Sequence, residues 1–298
     1  MAILVGTASW TDKTLIDCGR FYPKGCSTPE ARLRHYASVF PMVEVDSSYY
    51  AIPAVSVSRN WAMRTPPEFV FNIKAFRIFT GHQTSPAVLP KDMQAALGDT
   101  GKKMLYDRDL PSEIRDELWR RFIEAISPLR ETGKLAAVHF QFAPWVLRNR
   151  DGHARVEECV TRMAGFHVSV EFRNATWFAP DHLQGTLQFE RTLGVTHTVV
   201  DGPQGFSSSI AQVWEATNPH LAILRLHGRN SQTWDAKGLA AASDRFDFDY
   251  PDQQLADLVP HILRLAGKVG TLQVIFNNNQ QDQGQRNALS LMGMLKSA

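Results

Sequence analysis

Phe166-His167-Val168-Ser169-Val170-Glu171-Phe172-Arg173 alternates without a break, with Phe166, Val168, Val170 and Phe172 in one parity and His167, Ser169, Glu171 and Arg173 in the other. Successive side chains of a strand point to opposite faces, so this run reads as a strand with one apolar and one polar, charge-bearing face. The same division recurs along the chain. Residues 42–46 set Glu44 and Asp46 against Val43 and Val45, and residues 69–74 set Asn72 and Lys74 against Phe71 and Ile73. Residues 135–142 set His139 and Gln141 against Val138, Phe140 and Phe142. Residues 221–227 set Arg225 and His227 against Leu224 and Leu226, and Gln273 and Asn277 oppose Val274 and Phe276 at the run 271–276. Apolar runs at 2–6 and 195–200 bring the strands to eight.

Helical patterns separate these runs. Ser27 and Glu30 have capping-box spacing ahead of the stripe Leu33, Tyr36, Ala37 and Phe40. Pro111 suits the first turn of a helix carrying Ile114, Leu118, Phe122 and Ile126, which should stop before Pro128. Asp151 is placed to cap a helix through Met163, and Pro180 to open one with Leu183 and Leu187. Pro260 inside the stripe of residues 251–266 predicts a kink or a late start, and 285–296 reads as a last helix. Eight strands alternating with helices indicate an α/β chain folded as a (β/α)8 TIM barrel, a single domain over residues 1–298. Residues 75–110, with a short helix near Lys91–Leu97, read as a long insertion after strand three. Gly6-Thr7-Ala8-Ser9-Trp10 after strand one lacks both the dinucleotide-binding and the P-loop glycine patterns.

The chain has 298 residues, 44% hydrophobic and 21% charged, with a formal net charge of +2. That composition supports a large core and excludes a protein held to nucleic acid by bulk charge, though not one with a local basic cleft. Cys18, Cys26 and Cys159 cannot all pair within one chain and read as free thiols. No basic leader with a long apolar core and no run of roughly 18 apolar residues is present, so the expectation is a cytoplasmic protein without a membrane partner.

Helices cover the outside of such a barrel, so the apolar parity must face them and the polar parity must face the interior. Its C-terminal members then stand at the rim where barrel active sites form. An isolated buried charge costs too much to be incidental, so these groups should pair, enclose water or await a polar ligand. Glu44 and Glu171 are the candidate general acid and base, His227 a proton shuttle and Lys74 a point charge. Arg225-Leu226-His227-Gly228-Arg229, with Arg173, suits a phosphate or carboxylate. Thr7, Ser9 and Trp10 offer hydroxyls and an aromatic wall, and Tyr49 and Tyr50 follow Asp46. His82 lies in the insertion where it could cover the site, Gln141 ends strand four, and Asn277 and Asn278 are amides to orient a ligand. His139, His167 and His227 share the interior parity, but His167 stands at the start of its strand and no short metal motif exists. The sequence therefore assigns neither metal nor cofactor.

At these strand ends the chain resembles the YecE-like family, domain of unknown function 72. The likeness runs from Gly6-Thr7-Ala8-Ser9-Trp10 through Val43-Glu44-Val45-Asp46-Ser47-Ser48-Tyr49-Tyr50, Lys74 and Thr80-Gly81-His82. It continues in Phe140-Gln141-Phe142-Ala143-Pro144, Val170-Glu171-Phe172-Arg173, Asp201-Gly202-Pro203, Arg225-Leu226-His227-Gly228-Arg229 and Phe276-Asn277-Asn278. The resemblance implies a TIM barrel without an established reaction, similar in shape to apurinic endonucleases and sugar-phosphate isomerases, and adds Asp201 to the candidate site. Departures are Asp46 for a usual Asn, Tyr49 for a frequent Phe, Gly81 between Thr80 and His82, and Asn279 for an acidic residue or histidine.

The reading taken forward is a barrel protein binding an anionic or phosphorylated polar small molecule at its C-terminal mouth, with hydrolase or lyase chemistry as the reaction classes considered. The alternatives are a nucleic-acid-binding module without catalysis and a non-catalytic scaffold. Whether the protein is an enzyme is left open by the sequence.

Overall fold

Eight parallel strands close into a barrel in sequence order. They are Ala2–Ala8 (β1), Met42–Val45 (β2), Val70–Lys74 (β3), Leu135–Gln141 (β4), Val168–Glu171 (β5), Thr196–Asp201 (β6), Leu221–Leu226 (β7) and Thr271–Phe276 (β8). Closure is made by β8, which pairs with β1 from Ala2↔Thr271 and with β7 from Leu221↔Thr271. The helices are Lys13–Cys18 (α1), Pro29–Val39 (α2), Ser47–Tyr50 (α3), Val55–Met63 (α4), Lys91–Leu97 (α5), Ser112–Glu131 (α6), Arg150–Arg162 (α7), Leu183–Leu193 (α8), Asp252–Ala266 (α9) and Gln283–Lys296 (α10). The computed structural model describes residues 1–236 and 242–298.

The two parities of the strands go where their chemistry requires. Val43, Val45, Phe71, Ile73, Val138, Phe140, Val170, Phe172, Leu224, Leu226, Val274 and Phe276 join the main core against the helices. Inside the barrel, Ala8, Met42, Ala137, Leu221, Ile223 and Ile275 form a separate apolar plug. Two residues further along their strands stand Glu44, His139, Arg225 and Asn277, so the Glu44 and Arg225 charges lie above the plug, on the side of the C-terminal strand ends. Asn72 Nδ2 donates to Gln273 Oε1 across the lumen at 2.7 Å.

The insertion after β3 holds α5, two 3-10 turns and an isolated bridge between Thr84 and Leu105. Local signals misplaced several helix ends. α6 continues through Pro128 to Glu131, and α9 runs unbroken from Asp252 through Pro260. In both, the carbonyl that the proline leaves unpaired belongs to an exposed residue, Glu124 or Ala256, on the solvent side of the helix. α2 is capped by Thr28, whose hydroxyl accepts from Ala31 N, while Glu30 pairs with Arg34 and Arg64 instead of closing a box with Ser27. Asn149, not Asp151, caps α7 by accepting from Gly152 N. Helices α1, α3 and α4 carry no periodic stripe long enough to be read from sequence.

Candidate functional site

Glu44 on β2, Glu171 on β5 and Arg225 on β7 meet inside the barrel above the apolar plug, all without solvent exposure. The Arg225 guanidinium bridges the two carboxylates, Nη2 to Glu44 Oε1 and Nη1 to Glu171 Oε2, each at 2.6 Å. Glu171 Oε1 accepts from Gln141 Nε2 at 2.6 Å, His227 Nε2 at 3.1 Å and Arg173 Nη1 at 3.3 Å. Burial pushes the Glu171 carboxyl up, but Arg225, His227 and the donors around it outweigh burial and hold it well below the carboxylate range. Glu171 is therefore ionised, and both of its oxygens accept hydrogen bonds. Glu44 differs, because its Oε2 is buried without a hydrogen-bond partner.

His227 reports its own protonation. Burial lowers it to about 3, against the opposing pull of Glu171, so the ring is neutral at neutral pH. Asn277 Nδ2 approaches Nδ1 at 2.8 Å, and an amide nitrogen donates only. Nδ1 thus accepts, and Nε2–H donates to Glu171. One tautomer satisfies both contacts. His139 Nδ1 meets Ser169 Oγ at 3.0 Å, deeper in the lumen.

Around this sealed centre lies a more open rim. Lys74 Nζ is 2.8 Å from Asp46 Oδ1 and 4.6 Å from the Tyr49 ring centroid. Burial raises the Asp46 carboxyl, but Lys74, Arg225 and His139 reverse that and leave it lowered. Arg77 sits with its guanidinium 5.2 Å from the same Tyr49 centroid, has no side-chain acceptor among the described residues, and its Nε is buried. Arg173 packs over Trp234 at 4.7 Å, touches Glu171 only at the long 3.3 Å contact, and also has a buried, unpartnered Nε. Its desolvation lowers its basicity. His82 is brought down to about 3 by burial and by the charges of Lys74, Arg77 and Arg173.

The structure thus brings together Glu44, Glu171, Arg225, His227, Asn277, Gln141 and Arg173, with Lys74, Asp46 and His82 on the rim. Tyr50, 47% exposed, stands edge-on to Tyr49. Ser9, at φ 71°, turns its hydroxyl to Thr11 N at the end of β1. Other expected members lie elsewhere. Thr7 faces the helices, where its N–H donates to Tyr36 Oη and its hydroxyl lies 2.9 Å from the same oxygen, because it has the outward parity of β1. Trp10 is buried edge-on against Trp61. Asp201 and Arg229 satisfy each other in a second cluster, where Asp201 also accepts from Tyr250 Oη at 2.5 Å and from Gln212. Asn278 points away from the lumen to Phe248 O and Asn287 Oδ1. His167 lies at the opposite end of the barrel on Thr196. Arg77 was missed because it falls inside the stretch read as insertion. Its signal was position, three residues beyond Lys74 on the C-terminal side of a barrel strand. Among the described residues no group of three or more His, Cys, Asp or Glu side chains could hold a metal ion, and no helix is long and apolar enough to cross a membrane.

The sequence profile of the family described as "Protein of unknown function DUF72" matches residues 4–298. UPF0759 protein YunF of Bacillus subtilis is 30% identical over 295 residues, covering 98% of this chain and 94% of that protein. A crystal structure of a DUF72 family protein from Enterococcus faecalis superposes with a TM-score of 0.79 at 26% identity, over 99% of this chain and 95% of the other. One from Thermotoga maritima gives 0.77 at 27% identity, over 99% and 100%.

Proposed function

The chain belongs to the DUF72 family, and we propose that it binds a phosphorylated polar small molecule at the C-terminal mouth of its barrel. The observation that carries this reading is that Arg77 and Arg173 each have a buried Nε–H without an acceptor, with Arg77 and Lys74 over the same Tyr49 ring. A buried donor without an acceptor is unfavourable, and charge-assisted bonds to an anion would satisfy both groups at once. Arg229 is paired with Asp201, and Arg225 bridges two carboxylates through both Nη atoms, leaving only its Nε without a partner.

The sealed centre sets what chemistry the mouth supports. Glu171 acts as an anchor that fixes His227, Arg225 and Gln141. Glu44, with one oxygen free of donors, is the group available to accept a proton, and the rim cations stand where negative charge on a departing phosphate would develop. In this reading Glu44 takes a proton either from a water that attacks phosphorus while the sugar oxygen leaves, a hydrolysis, or from the carbon adjacent to the ester-bearing carbon while phosphate leaves with the electron pair of the broken C–O bond, an elimination. A nucleic-acid track fits less well, because Lys74 and Arg77 stand over the same ring, Tyr49, instead of lining a path.

Calorimetric titration with ribose phosphate and with free ribose tests the proposal. The expected result is measurable binding of the phosphate ester, none of the free sugar, and at least a roughly tenfold loss in Arg77→Leu and in Arg173→Leu with unchanged circular dichroism. Equal binding of both sugars, or full affinity in both variants, would overturn it.

A further inference from the structure

We propose that the ligand of this mouth carries a planar heterocycle beside its phosphate, and that the ring is held in a separate cavity between the insertion and the loop after β4. The chemical class is a nucleoside phosphate. The inference rests on the phosphate reading above and deepens it.

The cavity measures about 310 Å³, and its lining includes Gly81, Tyr106, Arg108, Trp145, Asp151 and Arg155. Trp145 is the unusual element, because it is 54% exposed and yet fixed in place. Its Nε1–H donates to Gly81 O at 2.9 Å, and Gly81, at φ 86°, forms a turn whose Cβ position would lie 2.9 Å from Val146 Cγ2. A rigid exposed indole loses little conformational freedom when a ring stacks on it, which is what a binding platform requires. Tyr106 lies 6.5 Å from Trp145, and the Arg108 guanidinium 4.9 Å from Tyr106.

The platform is continuous with the anion-holding rim. Rings run from Tyr50 to Tyr49 at 5.0 Å, to His82 at 5.4 Å, to Trp145 at 5.6 Å and on to Tyr106. Lys74 and Arg77 lie over Tyr49, and His82 is in ring contact with both Tyr49 and Trp145. Two rings, Tyr49 and His82, therefore lie between the cations and the indole, the span that the sugar and ester arm of a nucleoside phosphate must cross. The cavity lining balances Asp107 and Asp151 against Arg108 and Arg155, and Asp107 is itself paired with Arg115 and Arg155. A second phosphate gains nothing from such a neutral lining, whereas the donors and acceptors of a heterocycle find both kinds of partner there. This balance favours a mononucleotide over a polyanionic strand.

Titration of adenosine monophosphate, ribose phosphate, adenosine and a short single-stranded oligonucleotide tests the inference. Adenosine monophosphate should bind roughly ten- to hundredfold more tightly than ribose phosphate. Trp145→Ala should remove that advantage while leaving ribose phosphate within about twofold of wild type, a comparison that also serves as the folding control. Equal affinities of the two phosphates, or an equal loss of both in Trp145→Ala, overturns the ring site while the phosphate reading stands. Binding of adenosine that depends on Trp145, with no binding of ribose phosphate, keeps the ring site and removes the phosphate reading. Failure of all four probes removes both, and an oligonucleotide that outbinds the mononucleotide, with steep salt dependence, replaces the small ligand by a strand.

Discussion

Replacing Arg225 by methionine is the sharpest perturbation of the barrel interior. The wild-type guanidinium bonds Glu44 and Glu171 at 2.6 Å each, and all three side chains are fully buried. Two buried carboxylates bridged by one cation gain little net stability from being charged, but removing that cation leaves Glu44 unpaired and Glu171 with only the longer Arg173 contact, at a cost of about 3–5 kcal/mol. For a chain of this length the loss is on the order of 10 °C in melting temperature. The pH dependence carries a second signature. In wild type the Glu171 carboxyl is held low, so its contribution is present above the unfolded carboxylate value of about 4.3 and is lost as pH falls below it. Without Arg225, burial and the neighbouring Glu44 carboxylate push the Glu171 carboxyl upward, so the variant loses stability as pH rises. The gap between wild type and variant should therefore widen from pH 5 to pH 8 in urea titrations followed by circular dichroism. A triple variant, Glu44→Gln, Glu171→Gln and Arg225→Met, should recover most of the loss. A deficit below about 1 kcal/mol that is the same at both pH values would refute the reasoning.

Two further expectations separate architecture from ligand binding. Tyr36→Phe removes a buried hydroxyl that serves Thr7 N, Thr7 Oγ1 and Met42 O, so urea unfolding should show a loss of about 1–3 kcal/mol with unchanged affinity for ribose phosphate. A drop in affinity at equal stability would return Thr7 to the ligand site. Gly81→Ala forces a side chain into positive φ and against Val146, and should weaken adenosine monophosphate more than ribose phosphate in parallel titrations. Equal effects on the two ligands would separate Gly81 from the indole platform.

The barrel was legible because a covered strand exposes its logic twice over. Its apolar residues recur every second position, and its polar ones occupy the parity left over. Eight such runs with helical spacers leave little other than a closed (β/α)8 ring, and the same parity rule brought Glu44, Glu171, Arg225, His227 and Asn277 to one place before any coordinates. It worked for these residues because each continues the inward set of its strand. It was not applied to β1 and β6, and there the candidates went astray. Thr7 has the outward parity, and Asp201, at the last position of β6, turns to Arg229 and Tyr250. Asn278 differs from Asn277 by one position and hence by one face. Loops obey no such period, so the Trp145 cavity, formed where the insertion meets the loop after β4, left no pattern to read, and Arg77 was marked only by its place three residues beyond Lys74. Prolines 128 and 260 misled for the opposite reason, since a rule about the helix backbone ignored the solvent that relieves it.

The central claim is that the unsatisfied guanidinium donors of Arg77 and Arg173 await a phosphate. A crystal structure of the protein grown with ribose phosphate tests it most directly. The account predicts phosphate oxygens within hydrogen-bonding distance of both arginines and of Lys74, with the Glu44–Arg225–Glu171 bridge unchanged. Phosphate bound elsewhere, or arginines 77 and 173 turned onto protein acceptors with the mouth unoccupied, would contradict it.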